Sequence, residues 1–483
     1  MFSMVDNEFN DIVPENKTSD TAAAAVAELN TQNQNVSPVR RFGDPYLWGI
    51  YIFLCLVSLV ITYDASGREI KGANVFAPLI KQGIFLALGA SIAFFIQKID
   101  YKKIIRVIPY FALVTFVGLF YVDQFGEVIN GAQRHISIMG FSIQPTEMAK
   151  LAVVLLLAWI MARNQMENGV RWTGIYLCFC VIGMFGYFLV KQGLTNTLLL
   201  MSITVAMILI SGTQWRKIFT LLGIFSVLIL FFLGVMLMRN AFDDTPESDP
   251  ITSEIIASNV SPMVEEADSA LHNSFIIRAI DAAEEIIVPY IPRFETHASR
   301  LRDFFDPRPL YTRPFTEKNN QEMFATMAQA SGGAGNIGIG NSKYSSMLPL
   351  AFSDYVFSII VEDTGMIGGV LLLIVYLLIL ARAGNIAQKC KKAIPALIVI
   401  GLAFMIVIQA LFHMAINTGV FPVSGQPLPL ISMGGTSILI ISIAFGIMQS
   451  VCRTARMTTD KKADINAEME SLPVEMRADN SAN

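Results

Sequence analysis

Four short stretches of this sequence carry side chains able to hold, donate or offset charge, in surroundings that are otherwise apolar. The first runs Asn130-Gly-Ala-Gln-Arg134-His135 and continues Phe141-Ser-Ile-Gln144-Pro145-Thr-Glu147-Met-Ala-Lys150. Glu147 and Lys150 lie one helical turn apart and can pair. An ionisable group inside an apolar span is a functional candidate by default, and a buried structural ion pair explains the same spacing equally well. The second stretch is Ser331-Gly-Gly-Ala-Gly335-Asn-Ile-Gly-Ile-Gly340-Asn341-Ser342. Its glycines are of the kind that cradle phosphate, yet the Walker spacing is absent and no strand precedes it, so a re-entrant turn fits better. The third, Ser353-Asp354-Tyr-Val-Phe-Ser-Ile-Ile-Val-Glu362-Asp363, puts one acid at the outer mouth of a span and two more inside it. Eight helical residues advance about 12 Å, so Asp354 and Glu362 are not an acid/base dyad. An acid at a helix mouth is either a general base that can reach a hydroxyl or a plain N-cap. The fourth, Asn417-Thr-Gly-Val-Phe-Pro-Val-Ser-Gly425-Gln-Pro427-Leu-Pro429-Leu-Ile-Ser432-Met-Gly434-Gly435-Thr-Ser437, is a Pro- and Gly-rich path lined with hydroxyls. Non-helical backbone at membrane depth survives only where it is buried in protein or lines a cavity.

The elements that position these residues are helices in a bilayer. The chain has 483 residues, 53% of them hydrophobic and 15% charged, with a mean hydropathy of +0.53. Soluble domains carry roughly 25% charged residues. Ten candidate spans recur, at about 47–63, 79–96, 104–122, 148–162, 172–190, 194–210, 218–238, 355–381, 394–416 and 436–452, which makes the chain an all-α polytopic membrane protein. Residues 1–45 and 454–483 read as polar tails around a membrane domain at 46–453. A net charge of −4 argues against nucleic acid as a partner. The five cysteines show no CxxC and no metal-ligand spacing.

Cytoplasmic loops retain Lys and Arg. Basic clusters occur at Arg40-Arg41, Lys98–Arg106, Arg163–Arg171, Arg216-Lys217, Arg382–Lys392 and Arg453–Lys462. With ten spans all of them fall on one side, so both termini are expected in the cytoplasm and the loops at 64–78, 123–147, 191–193, 239–354 and 417–435 outside. The 239–354 loop, 116 residues long, far exceeds ordinary connections. Within it residues 243–268 are acidic and Ser-rich. Leu271 to Ile287 has an approximate apolar face that suits a surface or a packing helix. The run Arg300-Leu-Arg-Asp-Phe-Phe-Asp306-Pro-Arg-Pro309 mixes cations and aromatics at the expected headgroup level, suited to meeting a lipid phosphate or to anchoring at the interface.

Together the four stretches resemble the SEDS family (shape, elongation, division and sporulation) of polytopic peptidoglycan glycosyltransferases, over about residues 42–456. The family's G-A-x-R-W and F-x-[IL]-Q-P-[ST]-E-x-x-K motifs correspond to GAQRH and FSIQPTEMAK here. Its GxGxGNS stretch and acid-bearing D-[FY]-[IV]-F segment correspond to GNIGIGNS and SDYVFSIIVED. PVSGQPLPLISMGGTS matches the family's last motif almost unbroken, and the wording sits nearer the division member than the elongation member.

That resemblance implies polymerisation of lipid II into β-1,4 glycan, with inversion, on the outer face of a bacterial cytoplasmic membrane and at the division septum. It implies Asp354 as the catalytic acid–base residue. Arg134, Lys150 and Lys343 would offset the diphosphate of the undecaprenyl-diphosphate-linked nascent glycan, with or without a divalent cation such as Mg or Mn. His135, Gln144, Glu147, Asn341, Ser342 and Glu362 would line or orient the substrate site, as would Pro427, Pro429, Ser432, Gly434, Gly435 and Ser437 of the last motif. The implied partners are a class B penicillin-binding transpeptidase and other divisome proteins. Two departures bear on the site. His135 replaces the family's Trp, and the usual P-D-L-G-T reads Gln192-Gly-Leu-Thr-Asn196. A lipid flippase and a scaffold that has lost its chemistry remain as competing classes. Transporters usually place substrate at the midplane between internal repeats, whereas Asp354 sits at an outer edge.

Overall fold

A computed structural model describes residues 43–69, 76–129, 132–138, 141–166, 169–214, 294–306, 319–333, 338–344, 347–348 and 351–471, with parts of 216–220, 277–284 and 308–316. The long apolar runs become helices because a lipid environment leaves the backbone no other partner than itself. They are α1 (Pro45–Glu69), α2 (Phe76–Ile96), α3 (Tyr101–Phe125), α4 (Pro145–Arg163), α5 (Trp172–Gln192) and α6 (Leu194–Ile210). In the outer loop follow α7 (Phe294–Phe305) and α8 (Asn320–Gly332). The one-turn α9 (Ala351–Asp354) leads into α10 (Val356–Gln388), α11 (Ala393–Asn417) and α12 (Gly435–Ser471).

Among the described residues, eight helices are long and apolar enough to cross a membrane, and Thr195–Ile210 is a shorter apolar helix. Nine of the ten expected spans therefore have a helix. Of the seventh, 218–238, only residues 219–220 are described, and the acidic stretch 243–268 lies outside the described residues. The all-α class holds with one addition. Residues expected only as an outer loop form a three-stranded antiparallel sheet in the order β1-β2-β3, namely β1 (Glu127–Ile129), β2 (Ala132–Ile138) and β3 (Phe141–Ile143). A second pair, β4 (Gln165–Met166) and β5 (Gly169–Val170), joins α4 to α5.

Burial separates the helices into two classes. On α1, α2, α3, α5 and α10, large apolar side chains such as Phe95, Leu113, Tyr187 and Met366 are exposed, the pattern of a lipid-facing helix. α4, α11 and the 435–455 part of α12 are mostly buried and form the centre. Pro145 opens α4 at a position where its missing N–H costs nothing. α10 differs from the single span expected at 355–381. Gly365 interrupts it at φ 72°, ψ −180°, a conformation a side chain would strain. Before the break Val356–Asp363 is enclosed by protein, and the exposed apolar residues begin at Met366.

At one end of the bundle the basic loops meet. Arg382 bonds Asp44 at 2.7 Å, Asp44 exchanges bonds with Gln449, and Arg453 donates to the Lys98 carbonyl at 2.8 Å. Asp354 precedes α10 at its opposite end. On the Asp354 side Lys191, a cation against the trend, is paired with Asp123 at 2.9 Å. A membrane-impermeant thiol reagent tests the orientation in a cysteine-free background. Lys391 is exposed on the basic side, so a cysteine there should escape labelling from outside, while one at Ser248 should be labelled. External labelling at 391 would invert the topology.

Candidate functional site

Cavity walls come from four parts of the chain. A cavity of about 290 Å³ is lined by Gln144 and Glu147 at the start of α4, by Gly193, Thr195, Asn196 and Leu198 at the α5–α6 junction, by the α7 face His297, Arg300, Leu301, Phe304 and Phe305, and by 420–427. α7 is held over it by its own charges. Arg302 bonds Asp281 at 2.7 Å and also Glu284, while Ile277 and Ile280 beside them are buried. The described part of 271–287 is thus a packing helix. Partial burial raises the Asp306 carboxyl, but hydrogen bonds from Arg308 and the charge of Arg313 outweigh it and hold it below the usual carboxylate range. That cluster ties down the turn after α7. Of the cations in the 300–309 run, Arg302 and Arg308 are thus taken by carboxylates, and Arg300 lines the cavity.

The path 418–434 is irregular, and its polar groups are met by side chains. Gln409, His413 and Asn417 stand at i, i+4 and i+8 on α11, one face of a helix. Gln409 Nε2 donates to the Pro427 carbonyl at 3.1 Å. His413 Nδ1 lies 2.6 Å from the Gln426 carbonyl, and Nε2 lies 3.4 Å from the Phe357 amide. A carbonyl can only accept and an amide N–H can only donate, so the proton of this imidazole sits on Nδ1. Tyr376 donates to the Pro429 carbonyl at 2.6 Å and Ser58 to that of Ile431 at 3.0 Å. Gln426 donates to Asn196 at 2.9 Å, joining the path to the α5–α6 junction. Leu430 adopts φ 64°, a left-handed conformation that a non-glycine residue rarely takes.

Asp354 is set against this path. Its backbone carbonyl accepts from Asn417 Nδ2 at 3.1 Å, and the preceding carbonyl of Ser353 accepts from Ser432 Oγ at 2.8 Å. Asn417 Oδ1 in turn accepts from Ser358 Oγ at 3.0 Å, so α9, α10 and α11 share one node. The Ser353 hydroxyl donates to Asp354 Oδ1 at 3.0 Å. A β-carbon on Gly425 would lie 3.0 Å from Asp354 Oδ2. The partly exposed carboxylate therefore abuts a residue that lines the cavity.

The other expected site residues separate into groups. Gln144, Glu147 and Pro427 line the cavity. Lys150 stands behind them, 1% exposed, with Nζ 2.6 Å from Glu147 Oε1 and 3.2 Å from Gln409 Oε1. Ser437 donates to Glu147 Oε2 at 3.3 Å. Both partners of the pair are buried, and Lys150 faces protein. Pro429, Ser432, Gly434 and Gly435 shape the path and the start of α12. Glu362 is fully buried, and Oε1 accepts from Ser331, from the Lys343 amide at 2.7 Å and from the Tyr344 amide at 2.9 Å. Ser342 bonds Asp363, and the Gly338 amide bonds the Asp363 carbonyl. The described part of the glycine-rich stretch is thus fastened to α10. Asn341 and Lys343 are exposed on it, outside the cavity lining. Arg134 and His135 belong to β2, where His135 pairs with Glu127; their side chains lie outside the described residues. His297, Gln409 and His413 were not singled out from the sequence, and Asn196, Asn417 and Gln426 stood there within quoted stretches without a role of their own. The α11 stripe of polar residues at four-residue spacing inside an apolar span was the available signal.

A sequence profile described as Cell cycle protein, FtsW/RodA/SpoVE, matches residues 45–253 and 247–457. The chain belongs to this family. Stage V sporulation protein E of Bacillus subtilis is 25% identical over 417 residues, covering 84% of this chain and 96% of that protein. A probable peptidoglycan glycosyltransferase FtsW of Geobacter metallireducens is 24% identical over 427 residues, 86% of this chain and 96% of the relative. Two solved structures share the fold. A chain of a peptidoglycan synthase complex that coordinates polymerization and crosslinking superposes with a TM-score of 0.57 at 22% identity, over 86% of this chain and 98% of that one. Thermus thermophilus RodA, a rod shape determining protein, gives 0.53 at 20% identity, over 86% and 97%. With the family and eight spanning helices in hand, the chain is a multi-pass membrane protein.

The Glu147–Lys150 pair yields a stability test. Removing one partner of a buried pair strands a charge, at a cost of about 3–5 kcal/mol, whereas replacing both by apolar residues of similar volume is often near neutral. Glu147→Leu and Lys150→Met should each lower the thermal unfolding temperature in detergent, and the double variant should recover much of the loss. Additive losses would show that the two charges do not depend on each other.

Proposed function

We propose that this protein is a peptidoglycan glycosyltransferase that polymerises lipid II on the outer face of a bacterial cytoplasmic membrane, with Asp354 as general base. The observation that carries the reading is the placement of the Asp354 carboxylate behind Gly425, a residue that lines the outward cavity. The names borne by its FtsW relatives support the activity.

In the proposed reaction the acceptor sugar's 4-hydroxyl gives its proton to the Asp354 carboxylate as the oxygen attacks the anomeric carbon of the donor glycan. The new C–O bond forms on the face opposite the leaving group, which accounts for inversion. The bond from the anomeric carbon to the diphosphate oxygen breaks, and the electron pair leaves with undecaprenyl diphosphate. Arg300 is the cation in the cavity lining and stabilises that departing charge. Phe304, Phe305 and Leu301 give the same wall an apolar surface suited to the start of a polyprenyl chain. Asn196, Gln144 and Gln426 supply hydrogen-bonding groups for sugar hydroxyls. Among the described residues no three His, Cys, Asp or Glu side chains gather as a metal cage.

Both termini in the cytoplasm, septal placement during division and a class B penicillin-binding transpeptidase as partner complete the proposal. The fold likeness to a chain of a synthase complex supports the partner. A flippase would pass substrate through the bundle centre, but there α4, α11 and α12 pack around the Lys150–Gln409 contact.

Asp354→Asn keeps the size of the side chain and an oxygen for the Ser353 hydroxyl but cannot take a proton. Purified with its transpeptidase and given labelled lipid II, this variant should fold and bind its partner normally while polymerising 10²- to 10⁴-fold more slowly, roughly the contribution of a general base. A wild-type rate would remove Asp354 from the chemistry. Gly425→Ala tests the geometry from the other side, since its methyl must push the carboxylate by a few tenths of an ångström. About tenfold or more should be lost from kcat with the unfolding temperature little changed. An unaltered kcat would mean that the contact does not set the position of the base.

A further inference from the structure

A second cavity, of about 250 Å³, lies at the end of the bundle opposite the site, where the basic loops meet. Tyr101 and Lys102 at the start of α3 line it, as do the α10–α11 link Lys389-Cys390-Lys391-Lys392 and Pro395 of α11. Val451, Thr454 and Ala455 of α12 complete the wall. Its lining contains four lysines and no Asp or Glu. Asp100, next to it in sequence, turns a carboxylate oxygen to the Lys102 amide at 3.2 Å and caps α3. Lys102, Lys389, Lys391 and Lys392 are all exposed.

A bias toward Lys and Arg on the cytoplasmic side explains why cations are in these loops. It does not require them to surround a cavity. The cavity joins a cationic rim to Pro395 and Val451, which belong to membrane-spanning helices. Charge at the rim and apolar surface below is the arrangement that accommodates a phosphate attached to acyl chains, and basic pockets between spanning helices at a membrane face take anionic headgroups.

We propose that this cavity binds the headgroup phosphate of an anionic phospholipid from the cytoplasmic leaflet. The bound lipid ties together the ends of α3, α10, α11 and α12. Two of these helices reach Asp354 at their far ends: α10 begins two residues after it, and Asn417 at the end of α11 holds its carbonyl.

Native mass spectrometry of the full-length chain in detergent tests this, with dioleoyl phosphatidylglycerol and dioleoyl phosphatidylcholine as probes. The wild type should retain one phosphatidylglycerol well beyond the statistical background and no phosphatidylcholine. K389Q/K391Q/K392Q should bind it roughly 100-fold more weakly, near fivefold per lysine. The control R163Q/R171Q/R216Q removes three positive charges from the same face and should change binding less than fivefold. Thermal unfolding of each variant identifies any that fail to fold, and K389Q or K392Q alone then carries the comparison. Equal losses in the two triple variants would mean general attraction to the basic face, and equal retention of phosphatidylcholine would mean simple lipid carry-over. Displacement by millimolar glycerol 3-phosphate as complete as by phosphatidylglycerol would mean a soluble-phosphate site. Each of these overturns the proposal.

Discussion

Backbone that is not helical, deep in a membrane protein, must find a partner for each N–H and C=O inside the protein, because hydrocarbon offers none and each orphan costs several kcal/mol. Residues 426–432, the buried part of the 418–434 path, face that constraint, and much of the rest of the structure answers it. Side chains from α1, α10 and α11 each donate to one of this segment's carbonyls: Ser58 to Ile431, Tyr376 to Pro429, Gln409 to Pro427 and His413 to Gln426. Ser432, inside the segment, accepts from the Leu428 amide and donates onward to the Ser353 carbonyl. Residues 426–432 are thereby fastened into the interior, which allows a left-handed residue at Leu430 to persist.

Position of the candidate base follows from the same bonds. Asp354 ends a one-turn helix and has no long element of its own to hold it. Its carbonyl is fixed by Asn417, its neighbour's carbonyl by Ser432, and its carboxylate rests beside Gly425. The Glu147–Lys150 pair belongs to the same system, since Lys150 also bonds the Gln409 that supports Pro427. Ionisable groups at this depth persist because they are paired and hydrogen-bonded. In the proposed reaction the diphosphate charge falls to a cation from outside the bundle core, Arg300 on α7, which lines the cavity.

Much of this was legible in the sequence, for identifiable reasons. Helical spans announce themselves because length and hydropathy are set by bilayer thickness, and a Pro/Gly path ending in Ser437 stands out within such runs. Asp354 at a helix mouth was readable as an acid without a role, and the family resemblance supplied the role. The β1–β2 hairpin was missed although Asn130-Gly131 between β-branched runs is the strongest short hairpin signal. Glu362 and Ser342 were given a place at the substrate site by the family resemblance, while the glycine-rich stretch by itself pointed to a re-entrant turn. What the sequence could not show is that Glu362 would be saturated by amides of the same stretch, a contact across 19 residues. Arg300 and Asn196 reach one cavity wall through tertiary packing of a long outer loop against a helix junction, and no local pattern encodes such a meeting.

The proposed chemistry depends on where the reacting sugars lie. The most direct measurement is an electron cryo-microscopy structure of the protein with its transpeptidase and a non-hydrolysable lipid II analogue, read as the distance from the acceptor 4-hydroxyl to the Asp354 carboxylate. The account predicts a separation within about 3.2 Å, the reach of a general base, with the diphosphate beside Arg300. Sugar and diphosphate held at the bundle centre, away from Gly425 and Asp354, would contradict it.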